Sequence, residues 1–427
     1  MVCHSVGVKN GKKTGKMSNT AVSVVEKIKH KNVVHWFRND QRIVDHEILS
    51  NRDLCATLRC FYLHPPKTQE VHPLGFPMIG KHRKKFLSES LIELENQLKK
   101  ISIPFHIVHH ISELKELGLL EGDIITLQKL YGTEELTLER AVSSAFKGQP
   151  LSFDNYSLTN AEHLPFSITS IPAVFSSFRK KVEKYGRFNK PIEIPKLPHT
   201  PIPYQQKGGE THALQRLAYY FYETNLLSTY KETRNGMVGT DFSSRLSPWL
   251  ANGNISARSV YHFIQDYERK VGANSSTYWL FFELLWRDFF QFQLQKHGSK
   301  FFKRGGIQEK KIAYRNNIDV FWKWINGTTG DELVDANMRE LQSTGWMSNR
   351  GRQNVASYLV HDLNLNWRWG AAWMESQLID YNPASNWGNW MYIAGVGNDP
   401  RPFRKFNTKG QAERYDSNRE YRDLWLS

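Results

Sequence analysis

Three side chains that could line a ligand site lie close together in one strongly apolar segment, residues 278–295. Glu283, Trp286 and Arg287 are spaced i, i+3, i+4, so they share one face of the helix that this segment predicts. An acid and a base are costly to bury unless they are paired or bound to a ligand. The spacing therefore indicates either the wall of a ligand site or an internal ion pair between Glu283 and Arg287.

A second polar face with the same spacing follows the glycine at position 345. Asn349, Arg352 and Gln353 stand at i, i+3, i+4 of another expected helix. Arg352 suits an acidic partner or the polar edge of a ligand. Asp380, which follows an apolar run, is the best candidate for that partner because arginine and carboxylate form strong charge-assisted hydrogen bonds.

Two further segments, 241–249 and 380–392, have the composition of binding loops. In the first, Ser247 is expected to cap a helix that has Pro248 at its first position. Hydroxyls and free amides at that helix start, beside Arg245, suit a pyrophosphate, although an ordinary capped helix explains the same residues. The second segment is crowded with Asn and Trp, as in loops that serve a site; the alternative is a loop capped by Asn and anchored by Trp.

The pattern of apolar residues predicts two architectures along the chain. Short apolar runs at 33–37, 60–63, 105–108 and 123–127 indicate buried strands, and a helical pattern at 84–100 lies among them. Strands that alternate with helices favour a parallel sheet with crossover connections. We also expect a helix after the polar turn at 38–42 that ends the first strand.

Seven prolines between residues 151 and 207 predict a connector, with one helix at 173–185. After the glycines at 208 and 209 almost every segment is helical in pattern. The predicted fold is therefore an α/β N-terminal domain of Rossmann type followed by an all-helical C-terminal domain. Its parts are a basic, disordered tail at 1–31, the α/β domain at 32–150, the connector at 151–207 and the helical domain at 208–427.

The formal net charge of +15 predicts a polyanionic partner, because phosphate contacts supply the non-specific part of nucleic-acid affinity. No run approaches eighteen consecutive apolar residues, so we expect no membrane span. The three cysteines lack zinc-ligand spacing, so we expect no metal site and no structural disulfide, as in a reduced intracellular compartment.

Six motifs, taken in order, resemble the photolyase and cryptochrome superfamily. They are Trp36-Phe-Arg-Asn-Asp40, Gly208-Gly-Glu-Thr211, Ser243-Ser-Arg-Leu-Ser-Pro-Trp249, Glu283-Leu-Leu-Trp-Arg-Asp288, Ser343-Thr-Gly-Trp-Met-Ser-Asn-Arg350 and Asn386-Trp-Gly-Asn-Trp390. The segments 349–357 and 394–401 are similar to the DASH branch of that superfamily. The resemblance runs from about residue 32 to the C-terminus.

The resemblance implies an FAD molecule inside the helical domain. By motif, its phosphates and ribityl chain would be held by Tyr230, Ser243, Ser244, Arg245, Leu246 and Ser247. Arg352 and Asp380 would pair beside the isoalloxazine ring, and Asn386 would face its N5 atom. The other expected flavin contacts are Glu283, Arg287, Asn349 and Asn382. Asn382 stands where relatives commonly have Asp, which changes how one flavin hydrogen bond is made.

The resemblance also implies a reaction. In photolyases, reduced flavin excited by blue light gives an electron to a cyclobutane pyrimidine dimer flipped out of the DNA stack, and the electron returns after the ring opens. The residues expected to line the lesion pocket are Glu283, Trp286, Asn349, Gln353 and Tyr392. Gln353 and Tyr392 replace the Met and Trp of duplex-active photolyases. Because flipping costs unstacking energy, this swap favours damage in single-stranded DNA.

Photoreduction in the superfamily uses a relay of tryptophans, and Trp390 and Trp367 fit its proximal and middle places. Its distal place falls on Tyr314, so either Tyr314 serves, a neighbour such as Trp373 or Trp324 takes over, or photoreduction is impaired. For a 5,10-methenyltetrahydrofolate antenna, Glu135 beside Glu134 matches the acidic position of the DASH branch. Two glutamates on a surface helix are the alternative.

The leading hypothesis is a lyase that splits cyclobutane dimers in single-stranded DNA under blue light. The alternative is a blue-light photoreceptor that binds DNA or RNA and has little or no repair activity. The lack of a long signalling tail favours the enzyme. We expect a monomer in a bacterial cytoplasm, with organellar import as the alternative for a eukaryotic protein.

Overall fold

The computed structural model describes residues 24–399, 401 and 404–427. Its N-terminal part is a parallel sheet with helices on both faces. Five strands lie in the order β3-β2-β1-β4-β5: β1 Asn32–Phe37, β2 Thr57–Leu63, β3 Phe105–Val108, β4 Ile124–Gln128 and β5 Gln149–Phe153. The helices of this part and of the connector are α1 Val24–Ile28, α2 Lys81–Lys100, α3 Ile111–Glu116, α4 Thr133–Ala145 and α5 Phe175–Tyr185.

The central strand β1 explains why the sheet is covered on both faces. Five of its six residues are buried, and successive side chains point to opposite sides. Trp36 packs with Phe61 in the core on one side, whereas Phe37 packs with Leu91 and Leu94 of α2 in the core on the other. Both faces therefore need apolar partners, and the crossover helices provide them.

The remaining helices form the C-terminal part of the fold. They are α6 Glu210–Ala218, α7 Tyr230–Thr233, α8 Ser247–Asn252, α9 Ala257–Lys270, α10 Ser275–His297, α11 Ile318–Ile325, α12 Glu332–Thr344, α13 Asn349–Ser357, α14 Trp367–Gln377, α15 Pro383–Ile393, α16 Thr408–Tyr415 and α17 Glu420–Leu426. α10 lies in their centre and packs against α15, α7, α9 and α5. The parallel sheet followed by a helical bundle confirms the predicted fold class.

Three details of the sequence prediction were wrong. The fifth strand was missed because it contains Pro150, which is tolerated here since β5 is an edge strand. The segment after β1 forms no α-helix; a short 3-10 helix, Leu49–Leu54, follows a turn in which Asp45 has a φ of 57°. Residues 24–28 of the predicted disordered tail form α1, and Ile28 is buried. The rest of that tail, 1–23, lies outside the described residues.

Asp45 joins the sheet to the helical part. Its Oδ2 atom accepts hydrogen bonds from Arg258 Nε at 2.8 Å and from the hydroxyls of Ser256 and Ser259 at 2.5 and 3.1 Å. Its Oδ1 atom accepts the backbone N–H of Ile192 in the connector at 2.7 Å. One buried carboxylate thus ties three parts of the chain together, so the helical part is held in a fixed position against the sheet.

The sheet extends past residue 150, because β5 ends at Phe153. The division of the chain at 32–150, 151–207 and 208–427 stays a prediction. Within the described residues, no helix combines the length and the apolar character that crossing a membrane requires.

Candidate functional site

A cavity of about 530 Å³ opens between α7, α8, α10, α13 and α15. This volume lies in the range of small-molecule sites. The predicted site residues that line it are Tyr230, Ser243, Ser244, Arg245, Leu246, Ser247, Glu283, Trp286, Arg287, Asn349, Arg352, Gln353, Asp380, Asn382, Asn386, Trp390 and Tyr392. Tyr314, Trp367 and Glu135 are not among its lining residues. The fold thus brings together side chains from five helices and the loops beside them.

An ion pair between Arg352 and Asp380 lies in the wall of the cavity. Arg352 Nη2 donates to Asp380 Oδ2 at 2.9 Å, as expected from the sequence. The Ser247 hydroxyl donates to the same oxygen at 2.7 Å. Asp380 Oδ1 is buried and has no partner among the described residues. This free carboxylate oxygen is therefore available to accept an N–H or O–H group of a ligand.

Ser247 does not cap a helix, which corrects the sequence prediction. Leu246 already has helical dihedral angles, so α8 begins at Ser247 and takes Leu246 as its N-cap. The Ser247 hydroxyl bonds to Asp380 instead. The helix has only six residues, so hydroxyls and the nearby arginine, rather than a helix dipole, make this end of the cavity attractive to an anion.

Arg245 places an incompletely bonded cation at this end of the cavity. Its guanidinium packs over the rings of Trp346 and Tyr204, with 4.7 and 5.2 Å from Cζ to the ring centroids. Its Nη2 atom donates to Gly239 O at 2.8 Å, whereas Nε is buried and has no partner among the described residues. Burial lowers the pKa of Arg245. An anionic ligand would stabilise this cation and satisfy Nε.

Glu283 pairs with an arginine that the spacing argument did not identify. Its Oε1 atom accepts a hydrogen bond from Arg234, which follows α7. Arg287 donates instead to the carbonyl oxygens of Tyr156 at 2.7 Å and Leu250 at 3.1 Å. The alternative of an internal Glu283–Arg287 pair is therefore wrong. Burial raises the pKa of Glu283, and the charge of Arg234 opposes that shift.

Two aromatic rings meet at right angles in the cavity. Trp286 contacts Tyr392 edge to face, with ring centroids 6.0 Å apart and an angle of 89° between the rings. Trp286 also stacks on Phe175 of α5, with 3.7 Å between the ring centroids. Arg404 donates to the Tyr392 hydroxyl at 3.0 Å and is itself held by Asp399. Both rings are thus fixed before any ligand binds.

Two of the asparagines in the Asn- and Trp-rich segment 380–392 are used differently. Asn386 donates through Nδ2 to a carbonyl of α14 at 3.0 Å, so its Oδ1 is left for a ligand. Asn382 is the N-cap of α15: its Oδ1 accepts from Ser385 N and Gln291 Nε2, and its Nδ2 donates to the Tyr156 hydroxyl. Only one N–H of Asn382 is left for a ligand.

α13 presents Asn349 and Gln353 one turn apart. Ser348 caps this helix by accepting the backbone N–H of Gly351 at 3.0 Å. Asn349 is exposed at the start of the helix, and Gln353 is half-buried. Asn349 therefore offers a hydrogen-bond donor and an acceptor to the open side of the cavity, and Gln353, whose oxygen accepts from Arg350, offers its –NH₂ group.

The aromatic residues of the expected electron relay are only partly connected. Trp390 is buried in the cavity wall and contacts Trp324 edge to face at 6.2 Å between ring centroids. Trp367 contacts Trp387 at 5.7 Å and donates to Arg304 O at 3.0 Å. The Arg304 guanidinium lies 5.2 Å over the Tyr314 ring, and the Tyr314 hydroxyl has no partner among the described residues.

Glu135, the expected antenna residue, lies at the start of α4. Its Oε2 atom accepts the backbone N–H of Gly132 at 2.8 Å, and burial raises its pKa. The adjacent Glu134 pairs with Lys67, which also pairs with Glu375 of α14. The position therefore lies near the junction between the α/β part and the helical part. Its role as an antenna ligand stays a prediction.

A buried cluster of His35, Asp40 and His46 has the residue types of a metal site. The backbone N–H groups of Ile48 and Leu49 donate to His46 Nδ1, so the ring proton lies on Nε2, which donates to Asp40 at 3.2 Å. Burial lowers the pKa of His46 to about 4 and keeps the ring neutral. A metal ion would bind through the lone pair of Nε2, but the ring proton occupies that position. The cluster is a hydrogen-bond network that orders the turn after β1.

Arg216, which the sequence patterns did not reveal, shapes the serine loop of the cavity, residues 243–247. It is buried on α6, and its Nε and Nη2 atoms donate to Ser244 O and Ser243 O, both at 2.9 Å. It also donates to the carboxylate of Asp241 at 2.8 Å. The loop is thus fixed from behind by one cation. No local pattern marks Arg216, because its partners lie more than twenty residues along the chain.

The comparisons with known proteins agree with this geometry. The descriptions "DNA photolyase" and "FAD binding domain of DNA photolyase" match residues 33–199 and 279–427. The chain is 43% identical to Cryptochrome DASH of Gloeobacter violaceus, over 93% of the chain and 85% of that relative. It is 38% identical to "Cryptochrome DASH, chloroplastic/mitochondrial" of Arabidopsis thaliana, over 92% of the chain and 74% of that relative. The crystal structure of a Synechocystis cryptochrome superposes with a TM-score of 0.84 at 40% identity, covering 92% of the chain and 88% of that structure.

The chain belongs to the cryptochrome DASH family. This confirms the resemblance to the photolyase and cryptochrome superfamily. The matched domain supports FAD as the cofactor, and family membership supports a blue-light flavoprotein related to DNA repair, with DNA as its substrate class.

The cavity suits the FAD of a cryptochrome DASH. FAD carries an anionic pyrophosphate as well as a ring system with polar N–H and C=O edges. Arg245 Nε and Asp380 Oδ1, two buried polar atoms without partners among the described residues, are one cationic donor and one anionic acceptor. A ligand with both kinds of group satisfies both atoms, which a purely anionic or purely apolar ligand cannot do.

Proposed function

We propose that the chain is a DASH-type photolyase that splits cyclobutane pyrimidine dimers, preferentially in single-stranded DNA, under blue light. The observation that carries the proposal is the cavity itself. Its lining combines the candidate flavin contacts Arg352, Asp380 and Asn386 with the candidate lesion contacts Glu283 and Trp286. Cofactor and lesion would therefore share one space.

The flavin would be held by side chains that are fixed without it. Arg352 and Ser247 orient Asp380 toward a ring N–H, and Asn386 offers its Oδ1 because its amide nitrogen is already bonded. Arg245 and the serine loop would take the phosphates. When bound, the reduced flavin supplies the light-driven electron transfer of the reaction; the protein supplies position and electrostatics.

Glu283 and Trp286 would hold the lesion. Burial raises the pKa of Glu283 and so favours its protonated form, a donor to a base carbonyl, whereas the charge of Arg234 opposes that shift. Arg234 fixes the position of that carboxyl. Trp286 is backed by Phe175 and presents a rigid apolar face to a flipped pyrimidine.

Tyr392 supports the preference for single strands. Arg404 fixes its hydroxyl, so its ring stays edge-on to Trp286 and the two rings cannot form a parallel clamp around a base. Extracting a dimer from a duplex costs a few kcal/mol of pairing and stacking energy. A pocket with less stacking surface gains less binding energy to offset that cost. A dimer in a single strand has lost most of its pairing and stacking already, so this pocket suffices for it.

The Glu283→Gln variant tests the lesion role. The new amide keeps the size of the side chain but lacks the acidic proton, so we expect dimer splitting to fall by about tenfold or more while FAD stays bound. The measurement is the rate of thymine-dimer repair in a single-stranded oligonucleotide under blue light with reductant, together with the flavin spectrum of the variant.

Asp380→Asn is the matched comparison. It also replaces one carboxylate of the cavity by an amide, but it removes the charge that pairs with Arg352, so we expect this variant to lose FAD during purification. Unchanged repair by Glu283→Gln, or loss of FAD from that variant, would show that Glu283 does not act on the lesion.

We propose that Trp390 begins the electron relay. Two routes would continue it, one through Trp324 and one through Trp367. Trp390 gives up one electron on photoreduction and recovers it from a neighbouring tryptophan, and the Trp390–Trp324 contact provides a short route. Tyr314 suits the distal place poorly. An oxidised tyrosine must release its phenolic proton, and the Tyr314 hydroxyl has no acceptor for it among the described residues, beneath the Arg304 cation.

Photoreduction of oxidised flavin under blue light checks this relay. We expect Trp390→Phe to lower the bleaching rate by about tenfold or more and Tyr314→Phe to leave it within about twofold. The effect of Trp324→Phe compared with Trp367→Phe reports which ring follows Trp390. Normal bleaching in Trp390→Phe would refute the relay.

We propose 5,10-methenyltetrahydrofolate as antenna at Glu135. One oxygen of this carboxylate is bonded to Gly132, and burial disfavours its charge and raises its pKa, which a ligand N–H would counteract. We expect Glu135→Gln to lower the folate content of the purified protein several-fold without changing its FAD content. Extraction and chromatography of both cofactors measure this, and equal folate in both proteins would contradict it.

The remaining proposals concern partners and location. We propose a monomer that acts mainly on DNA, with RNA as a further polyanion for the surface of a chain with net charge +15. We propose a cytoplasmic location in a bacterium, and the Arabidopsis relative, described as chloroplastic/mitochondrial, supports the alternative of organellar import. Chromatography with light scattering measures the oligomeric state.

A further inference from the structure

Gln353, in the lining of the cavity, is held by an arginine that is not itself a lining residue. Arg350 Nη1 donates to Gln353 Oε1 at 2.9 Å. Arg350 Nη2 donates to Asn235 Oδ1 at 3.1 Å, and the guanidinium lies 4.7 Å over the ring of Tyr415. Three contacts from three segments thus fix Arg350 before a substrate binds.

This contact determines which end of the Gln353 amide is free. A guanidinium has only N–H donors, so the atom that faces Arg350 must be the amide oxygen. The –NH₂ group of Gln353 is then the polar group left for the cavity. It has no hydrogen-bond partner among the described residues, whereas Oε1 is engaged. Gln353 therefore directs its oxygen at Arg350 and presents its –NH₂ group, a donor, to a substrate.

We infer that Arg350 is a positioning residue that turns Gln353 into a donor-only contact, so that the site selects dimers with a carbonyl oxygen, rather than an amino group, on the base that faces it. This rests on the proposed function and names its substrate class: dimers with thymine or uracil at that position, in preference to cytosine.

The chemistry of the bases gives the reason. Thymine presents O4 as an acceptor, whereas cytosine presents an N4 amino group, a donor, at the same place. An N–H of Gln353 donates a hydrogen bond to thymine O4. Opposite cytosine, the same N–H meets the N4 amino group, which is also a donor, and no hydrogen bond forms. Two donors that face each other without an acceptor weaken binding more than a mismatch in shape does, because both lose a hydrogen bond that water would provide. If the amide could rotate, it would present its oxygen and accept either base.

The test is binding in the dark, which needs neither light nor catalysis. Fluorescence anisotropy measures the Kd for single-stranded oligonucleotides that carry a thymine–thymine dimer, either mixed thymine–cytosine dimer, or no damage. We expect the wild-type protein to bind one mixed dimer about tenfold more weakly than the thymine dimer. Deamination of that mixed dimer to its uracil form should restore the affinity, since uracil has the same O4 acceptor.

Two variants separate positioning from charge. In Arg350→Met the amide is free to rotate, so we expect the preference to fall below about threefold. In Gln353→Glu the side chain offers only acceptors, so we expect the preference to reverse toward cytosine. Arg414→Met is the control, because Arg414 also lies over Tyr415 but makes no contact with Gln353. It removes the same charge and should keep the tenfold preference.

The ratio of two affinities is the decisive quantity, because lost phosphate attraction weakens every oligonucleotide equally. Equal binding of all dimers by the wild type, or an unchanged preference in Arg350→Met, would overturn the inference and leave the proposed function standing. Binding of every dimer no tighter than undamaged DNA would overturn both. If Arg350→Met fails to fold, Gln353→Glu alone decides, since it leaves the contacts of Arg350 with Asn235 and Tyr415 in place.

Discussion

The ion pair between the partly exposed Arg352 and the buried Asp380 is the interaction on which the candidate site depends. It connects α13 to the turn before α15, and through Ser247 it also holds the start of α8. Removing Arg352 would leave the buried carboxylate of Asp380 without its counter-charge, which is unfavourable because burial penalises an unpaired charge. The pair holds the Asp380 carboxylate in place while its Oδ1 atom stays without a partner among the described residues.

The same principle recurs around the cavity. Polar side chains are bonded to the protein at one end and left open at the other: Asn386 donates to α14 and leaves its oxygen, and Arg245 donates to Gly239 and leaves Nε. Gln353, held by Arg350, leaves its amino group. Each open atom has only one orientation, so a ligand meets a fixed pattern of donors and acceptors and little entropy is lost on binding.

Local sequence patterns predicted much of this arrangement. They failed where contacts between distant segments determine which side chains pair. The apolar runs located four of the five strands, and the spacing within α10 and α13 placed Glu283 and Arg352 on the correct faces. Spacing alone also suggested a Glu283–Arg287 pair, but Arg234 approaches from a segment 49 residues earlier in the chain. Arg216 was not recognised for the same reason, since its partners lie in a distant segment. Arg350 contacts Gln353 on its own helix, but its other hydrogen-bond partner, Asn235, lies 115 residues away, and this contact could not be read from local spacing. Pro150 hid the fifth strand because an edge position cannot be read from local sequence.

Repair of thymine dimers in single-stranded and in duplex DNA by the purified protein under blue light tests the central claim most directly. We predict splitting in single strands at a rate at least about tenfold above that in duplex, since a duplex dimer must first be unstacked. FAD-containing protein that repairs neither substrate would contradict the proposed lyase and favour a photoreceptor. Equal repair of both would contradict the single-strand preference that Tyr392 and Gln353 support.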